Sequence, residues 1–155
     1  MAGLSSPPGR HPALWDELPE RLLRTAREVS FPAGARVMVQ GGTAEWFWLM
    51  RSGAVALDHR DPRGTTRVIE TVGPGDLLGL SWLFPPHVWR TGAISVTAGH
   101  ALEFDASAVR AMCAADPELG QAFVAQVADT IGRRLMGTRI RLLDVYGPPG
   151  GGGAP

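Results

Sequence analysis

The spacing of hydrophobic and polar positions changes twice along this chain of 155 residues. Near the start, apolar residues recur at helical spacing from Leu14 to Leu23, among acidic residues that suit a helix N-terminus. Between about residues 29 and 105, the pattern becomes short apolar runs separated by turn residues. From residue 106 the helical spacing returns. The pattern therefore predicts a short helix, a region of strands and a final pair of helices.

The middle region contains eight short runs that predict strands. Clusters of Gly, Pro and Asp separate these runs, and such residues form tight turns. The connections are too short to hold crossover helices, so the sheets should be antiparallel. Eight closely spaced strands indicate an antiparallel β jelly-roll barrel within an α+β protein. The predicted strands are residues 30–31, 37–40, 45–51, 55–60, 66–72, 77–78, 93–97 and 101–104.

The last region predicts two helices. Residues 106–115 form the first, with Asp105 as its N-cap, and Pro117 lies in the first turn of the second. The second helix runs to about Tyr146 and repeats apolar residues at steps of three and four, the spacing of a coiled-coil seam. We predict that this seam packs on a second copy of the chain in a homodimer; the alternative is that it lies on the chain's own barrel. The predicted seam is Val127, Ile131, Leu135, Thr138 and Leu142.

Composition limits the classes of protein to consider. Fifteen basic residues, all arginine, balance fifteen acidic residues, which argues against a basic protein that coats nucleic acid. No apolar run is long enough to span a membrane and the N-terminus does not resemble a signal peptide, so we expect a cytoplasmic protein. A flexible arm (1–12) and a disordered Gly/Pro tail (147–155) are expected on either side of one domain (13–146). Four arginines of the last helix are expected to face solvent beside the seam: Arg133, Arg134, Arg139 and Arg141.

Residue patterns typical of enzymes are missing from the sequence. A single cysteine excludes a cysteine-based zinc site, and the absence of lysine excludes a phosphate loop. A metal-dependent cupin needs an H-x-H pair, which none of the four histidines forms. We therefore expect a protein that is not an enzyme and that needs no metal or cofactor. The histidines are His11, His59, His87 and His100.

The turn motifs, taken in order, resemble those of a known family. They are Phe31-Pro-Ala-Gly34, Gly41-Gly42, Arg51-Ser-Gly53, Gly73-Pro-Gly-Asp76-Leu-Leu-Gly79 and Arg90-Thr91, followed by the helix pair. Their order and spacing resemble the cyclic nucleotide-binding domain of the catabolite activator protein (Crp/Fnr) superfamily over residues 31–145. The resemblance implies a regulatory sensor that binds cAMP or cGMP and signals through its C-terminal helix.

In that family, the segment that aligns with Gly79 to Thr91 is the phosphate-binding cassette. A cyclic phosphate carries one negative charge and is best bound by a guanidinium together with the N–H groups of a tight turn or helix start. The resemblance makes Arg90 the guanidinium and Thr91 a neutral donor. It places Gly79, Leu80 and Ser81 at the start of the cassette, where they would complete the site for the cyclic phosphate and ribose.

Two departures from the family pattern leave two functions open. Nucleotide-binding members have a Glu where this chain has Leu80, and a buried ribose hydroxyl without a partner costs about 1–3 kcal/mol. Transcription regulators of the family continue into a helix-turn-helix, which the Gly/Pro tail cannot form, so direct DNA binding is not expected. One alternative is a dimeric sensor in which Trp82 and Trp89 stack on a base. The other is a degenerate, ligand-independent dimerisation or protein-interaction module in which they close an empty pocket.

Overall fold

The computed structural model of the protein describes residues 18–146. It confirms the predicted order of a short helix, eight strands and two helices; the predicted arm and tail lie outside the described residues. The elements are α1 (Glu20–Leu23), β1 (Arg27–Phe31), β2 (Arg36–Met38), β3 (Trp46–Ser52), β4 (Val55–Arg60), β5 (Thr66–Val72), β6 (Leu77–Leu78), a 3₁₀ turn (Leu80–Leu83), β7 (Gly92–Ser95), β8 (Gly99–Asp105), α2 (Ala106–Ala115) and α3 (Pro117–Tyr146).

Two four-stranded sheets form the roll. One has the strand order β1-β8-β3-β6 and the other β2-β7-β4-β5. All pairings between these strands are antiparallel, as the short connections require. The α+β jelly-roll architecture is therefore confirmed. β1 begins three residues earlier than predicted, because Arg27, Glu28 and Val29 also pair with β8.

Two buried clusters stabilise the roll, one on each face of β3. The first combines side chains from both sheets, among them Trp48, Leu57 and Ala93. The second joins β3 to the helices: the Phe47 ring stacks on Trp82 at 4.4 Å and on Phe104 at 4.8 Å, measured between ring centroids. Because adjacent residues of a strand point to opposite faces, the aromatic run of β3 supplies both clusters.

Carboxylates stand at the starts of the two C-terminal helices. Asp105 is the N-cap of α2, as predicted, and its carboxylate accepts a hydrogen bond from the Ala108 N–H at 3.0 Å. Asp116 precedes α3 and accepts from the Leu119 N–H at 3.2 Å. This backbone bond lowers the pKa of Asp116. The stabilisation from its ionised form is present above the pKa of the unfolded chain and is lost as the pH falls through the lowered folded pKa.

Candidate functional site

The cassette, residues 79–91, connects β6 to β7. Gly79 opens it at a φ of +88°, a left-handed conformation that glycine adopts without strain. A Cβ at this position would lie 3.3 Å from the Trp46 carbonyl oxygen, so the close approach to β3 also favours glycine. The 3₁₀ turn follows at once, and an irregular Pro-rich stretch leads to Arg90. The local sequence thus forms a tight turn where the resemblance predicts the start of the cassette.

Arg90 and Thr91 lie at the other end of the cassette, directly before β7. The Arg90 side chain is exposed and makes no hydrogen bond or ion pair with any residue of the described chain. Thr91 is half-buried beside it. Both residues line an open cleft of about 580 Å³ that contains no acidic side chain. Its other lining residues are Gln40, Gly41, His59, Pro86, Val88 and Trp89.

The structure does not bring all the predicted ligand residues into one cleft. Gly79 is buried, and Leu80 and Ser81 are half-buried. The Leu80 side chain packs against the cluster on the helix side of β3. None of these three residues lines the cleft that holds Arg90 and Thr91. In this conformation, the predicted guanidinium and the start of the cassette are therefore separate features.

Both tryptophans of the cassette contact the core. Trp82 is 1 % exposed and stacks on Phe47. Trp89 is half-buried, with its ring centroid 5.9 Å from that of Trp48. The indole N–H groups of Trp82 and Trp89 are buried and lack an acceptor among the described residues. A buried donor without an acceptor is energetically unfavourable. Each indole N–H is therefore free to donate to an acceptor that comes within reach.

Arg134 of α3 reaches the roll, although the sequence pattern predicts a solvated flank. Its side chain is only 16 % exposed, and its Nε lies 3.7 Å from the Glu70 Oε1. Its Nη2 donates to the Leu77 carbonyl oxygen. Burial lowers the pKa of Arg134, and the carboxylates of Glu70 and Asp76 oppose that shift. The expectation of a solvated flank is therefore wrong for Arg134, because a helical pattern of arginines does not show which of them faces another element.

The predicted dimer seam divides into a buried and an exposed part. Val127 is 1 % exposed and joins Phe123 in the cluster that connects α3 to the roll. It packs on its own roll and is not available to a partner. The remaining seam residues are free on the surface of the described chain: Ile131 (36 % exposed), Leu135 (50 %), Leu142 (52 %) and Thr138.

Residues 18–146 hold no group of three or more His, Cys, Asp or Glu side chains that could bind a metal ion. Among the helices described, none combines the length and the apolar character that a membrane span requires. The thiol of Cys113 is half-buried beside the core, and burial, with a smaller contribution from Asp116, raises its pKa. A raised pKa disfavours the thiolate, which is the reactive form of cysteine.

The roll, the cassette and the helix pair together define one class of domain. The model of the family described as the cyclic nucleotide-binding domain matches residues 28–116, which include the whole cassette. The chain belongs to this family, and the resemblance seen in its turn motifs is confirmed.

The curated relatives that match the chain are named as Crp-like regulators. The "CRP-like cAMP-activated global transcriptional regulator" of Mycobacterium tuberculosis is 28 % identical over 124 residues, covering 80 % of this chain and 54 % of the relative. The chain thus spans about half the length of the curated relatives it matches. These relatives are regulators of transcription by name.

Solved structures show the same fold. A cyclic nucleotide-binding domain from Methylobacillus flagellatus superposes with a TM-score of 0.71 at 15 % identity, covering 81 % of this chain and 71 % of that one. The catabolite activator protein of Thermus thermophilus superposes with a TM-score of 0.63 at 24 % identity, covering 87 % and 60 %. At these identities the likeness concerns the fold alone.

Proposed function

We propose that this chain is a regulatory sensor domain that binds a cyclic nucleotide through Arg90 and Thr91. The observation that carries the proposal is the unpaired Arg90 guanidinium, which lies next to the Thr91 side chain in an open cleft within the family-matched segment. A guanidinium beside a neutral donor suits a singly charged phosphodiester. Other guanidinium groups of the described chain also make no hydrogen bond or ion pair, but they lie outside the cassette: those of Arg60, Arg63 and Arg67 in the β4–β5 hairpin and that of Arg139 on α3.

The other walls of the cleft favour a nucleotide over a simple anion. With no carboxylate in the lining, no negative charge competes for the guanidinium. Pro86, Val88 and Trp89 provide apolar and aromatic surface against which a base can pack. The Mycobacterium relatives are named for activation by cAMP, which makes cAMP the first ligand to test.

Titration calorimetry with cAMP and with cGMP tests the sensor. We expect Arg90→Ala to weaken nucleotide binding by about ten- to a hundredfold, because a hydrogen bond to a charged group contributes about 1.5–3 kcal/mol. Arg63→Ala is the matched control, since Arg63 is also exposed and unpaired but is distant in sequence from the cassette. Its affinity should equal that of the wild type. The absence of binding heat in the wild type at millimolar nucleotide would exclude the sensor.

A ligand-independent dimerisation or protein-interaction module of the same fold is the second candidate, and side-chain packing favours it. Leu80 lies against the core where nucleotide-binding members of the family carry a Glu. Trp82 already stacks on Phe47, and Arg90 points to solvent. For this module we expect no heat with either nucleotide and the same oligomeric state with and without nucleotide.

Both candidates use α3 as a homodimer contact. We expect Ile131→Asp to convert a dimer into a monomer in sedimentation velocity, because the carboxylate would be buried in the apolar seam. Met136→Asp is the matched control: Met136 is 56 % exposed and lies about 140° around the helix from Ile131. It should leave the mass unchanged. A dimer that persists in Ile131→Asp, or a monomeric wild type, would contradict the seam.

A further inference from the structure

We infer that Arg134 is the residue that positions the long helix α3 on the roll and couples it to the cassette. The ligand-dependent part of this inference rests on the proposed function, whereas the positioning of α3 by Arg134 does not.

Arg134 lies where α3 leaves the roll. After it, every residue from 135 to 145 is exposed except the half-buried Gly137. One turn earlier, Thr130 is 2 % exposed. Arg134 is therefore the last side chain of the described helix that anchors it to the strands. The apolar anchors closer to the start of α3 are Leu119, Phe123 and Val127.

The Arg134 contact reaches the chain just before the cassette. Its guanidinium donates to the carbonyl of Leu77, two residues before Gly79. β6 contains only Leu77 and Leu78 and lies at the edge of its sheet, paired on one side to β3. Because Leu77 and Leu78 are both 0 % exposed and packed in the core, a shift of Gly79 on ligand binding would be transmitted through them to the Leu77 carbonyl. Such a movement changes the bond that holds α3.

The pairing of Arg134 is incomplete. Its Nε is buried without a hydrogen-bond acceptor, and the nearest carboxylate, that of Glu70, lies 3.7 Å away. In a buried ion pair, the desolvation cost offsets much of the attraction, so the net gain is small, but removal of one partner leaves an uncompensated charge. The contact can therefore break at little net cost only when the guanidinium moves out to water and both charges are solvated again. A cleft of about 440 Å³ beside Arg134, lined also by Asp76 and Arg141, provides room for the guanidinium to move.

Hydrogen exchange of the full chain, followed by mass spectrometry, tests the positioning role. We expect Arg134→Gln to raise exchange at residues 135–145 at least tenfold and to leave β3 and β8 unchanged. The control is Arg133→Gln: the Arg133 Nε donates to the Asp129 carboxylate on the same helix at 3.0 Å, so its replacement should not alter exchange. Should the Gln variant fail to fold, Arg134→Met retains the length of the side chain without its charge, and the same comparison applies.

Two results overturn the positioning role. The first is an exchange rate at residues 135–145 that stays at the wild-type value when Arg134 is replaced. The second is that the effects of Arg134→Gln and Glu70→Gln on exchange add in the double variant, because two groups that act through one contact must show coupled effects. We expect Glu70→Gln alone to raise exchange at residues 135–145, and to have no further effect when Arg134 is also replaced.

Addition of cAMP or cGMP tests the coupling. We expect a nucleotide that binds in calorimetry to change exchange at residues 135–145 in the wild type but not in Arg134→Gln. An equal response of both proteins would overturn the coupling and leave the sensor intact. The absence of binding heat would instead exclude the sensor, while the comparison without nucleotide still decides whether Arg134 positions α3.

Discussion

Phe47→Ala is expected to lower the free energy of unfolding by about 3–5 kcal/mol. The Phe47 side chain is 0 % exposed. Its ring is stacked on Trp82 and Phe104 and lies 6.0 Å from the Phe123 ring. Removal of the ring leaves a cavity between β3, β8, α3 and the 3₁₀ turn that these elements cannot fully close. Since a domain of this size is stable by only about 5–15 kcal/mol, the variant should be close to unfolding.

Urea denaturation followed by circular dichroism measures this effect. Phe84→Ala is the control, because Phe84 is 52 % exposed and its replacement should change the unfolding free energy by less than about 0.5 kcal/mol. An unchanged urea midpoint for Phe47→Ala would contradict the central place of this ring in the core. The same stack holds Trp82, so the variant should also loosen the start of the cassette.

Gly99→Ala is expected to destabilise the fold by about 1–3 kcal/mol, because its new methyl group would meet backbone atoms and not a flexible side chain. A Cβ at Gly99 would lie 2.5 Å from the Ser52 carbonyl oxygen and 3.2 Å from the Gly53 Cα. Ser52 pairs with His100, the residue that follows Gly99 in β8. The clash can be relieved only if β8 moves away from the end of β3, which disturbs the sheet that holds both.

Gly73→Ala is the control for that substitution. A Cβ at Gly73 would meet nothing within 4 Å, and its φ is not left-handed. Its urea midpoint should equal or slightly exceed that of the wild type, because alanine restricts the unfolded chain. Equal midpoints for Gly99→Ala and Gly73→Ala would show that β3 and β8 separate without cost.

Turn residues account for the success of the strand predictions. The alternation of apolar runs with Gly and Pro clusters correctly predicts the limits of β4, β5 and β6. The limits of the other five strands differ from the prediction, most at β1 and β7. β1 includes Arg27 and Glu28, and β7 ends at Ser95, because backbone pairing and not side-chain polarity determines where a strand stops.

The sequence determines less about the candidate site than about the fold. The motif spacing places Arg90 and Thr91 side by side, and the structure puts both on one cleft. Spacing does not determine the direction of a side chain, so it could not decide whether Arg90 is exposed or whether Leu80 packs against the core. The contact of Arg134 with Leu77 joins residues 57 positions apart, which no local pattern can show.

Local spacing in the sequence by itself determined the order and type of the elements, including the Asp105 cap, because turns, caps and periodicity depend on neighbouring residues. Only the tertiary structure decided which side of α3 is buried. Val127 and Ile131 are one turn apart in the same apolar pattern, yet the first is 1 % exposed and the second 36 %. Burial depends on where distant strands and loops lie against the helix, and that arrangement is a property of the whole fold.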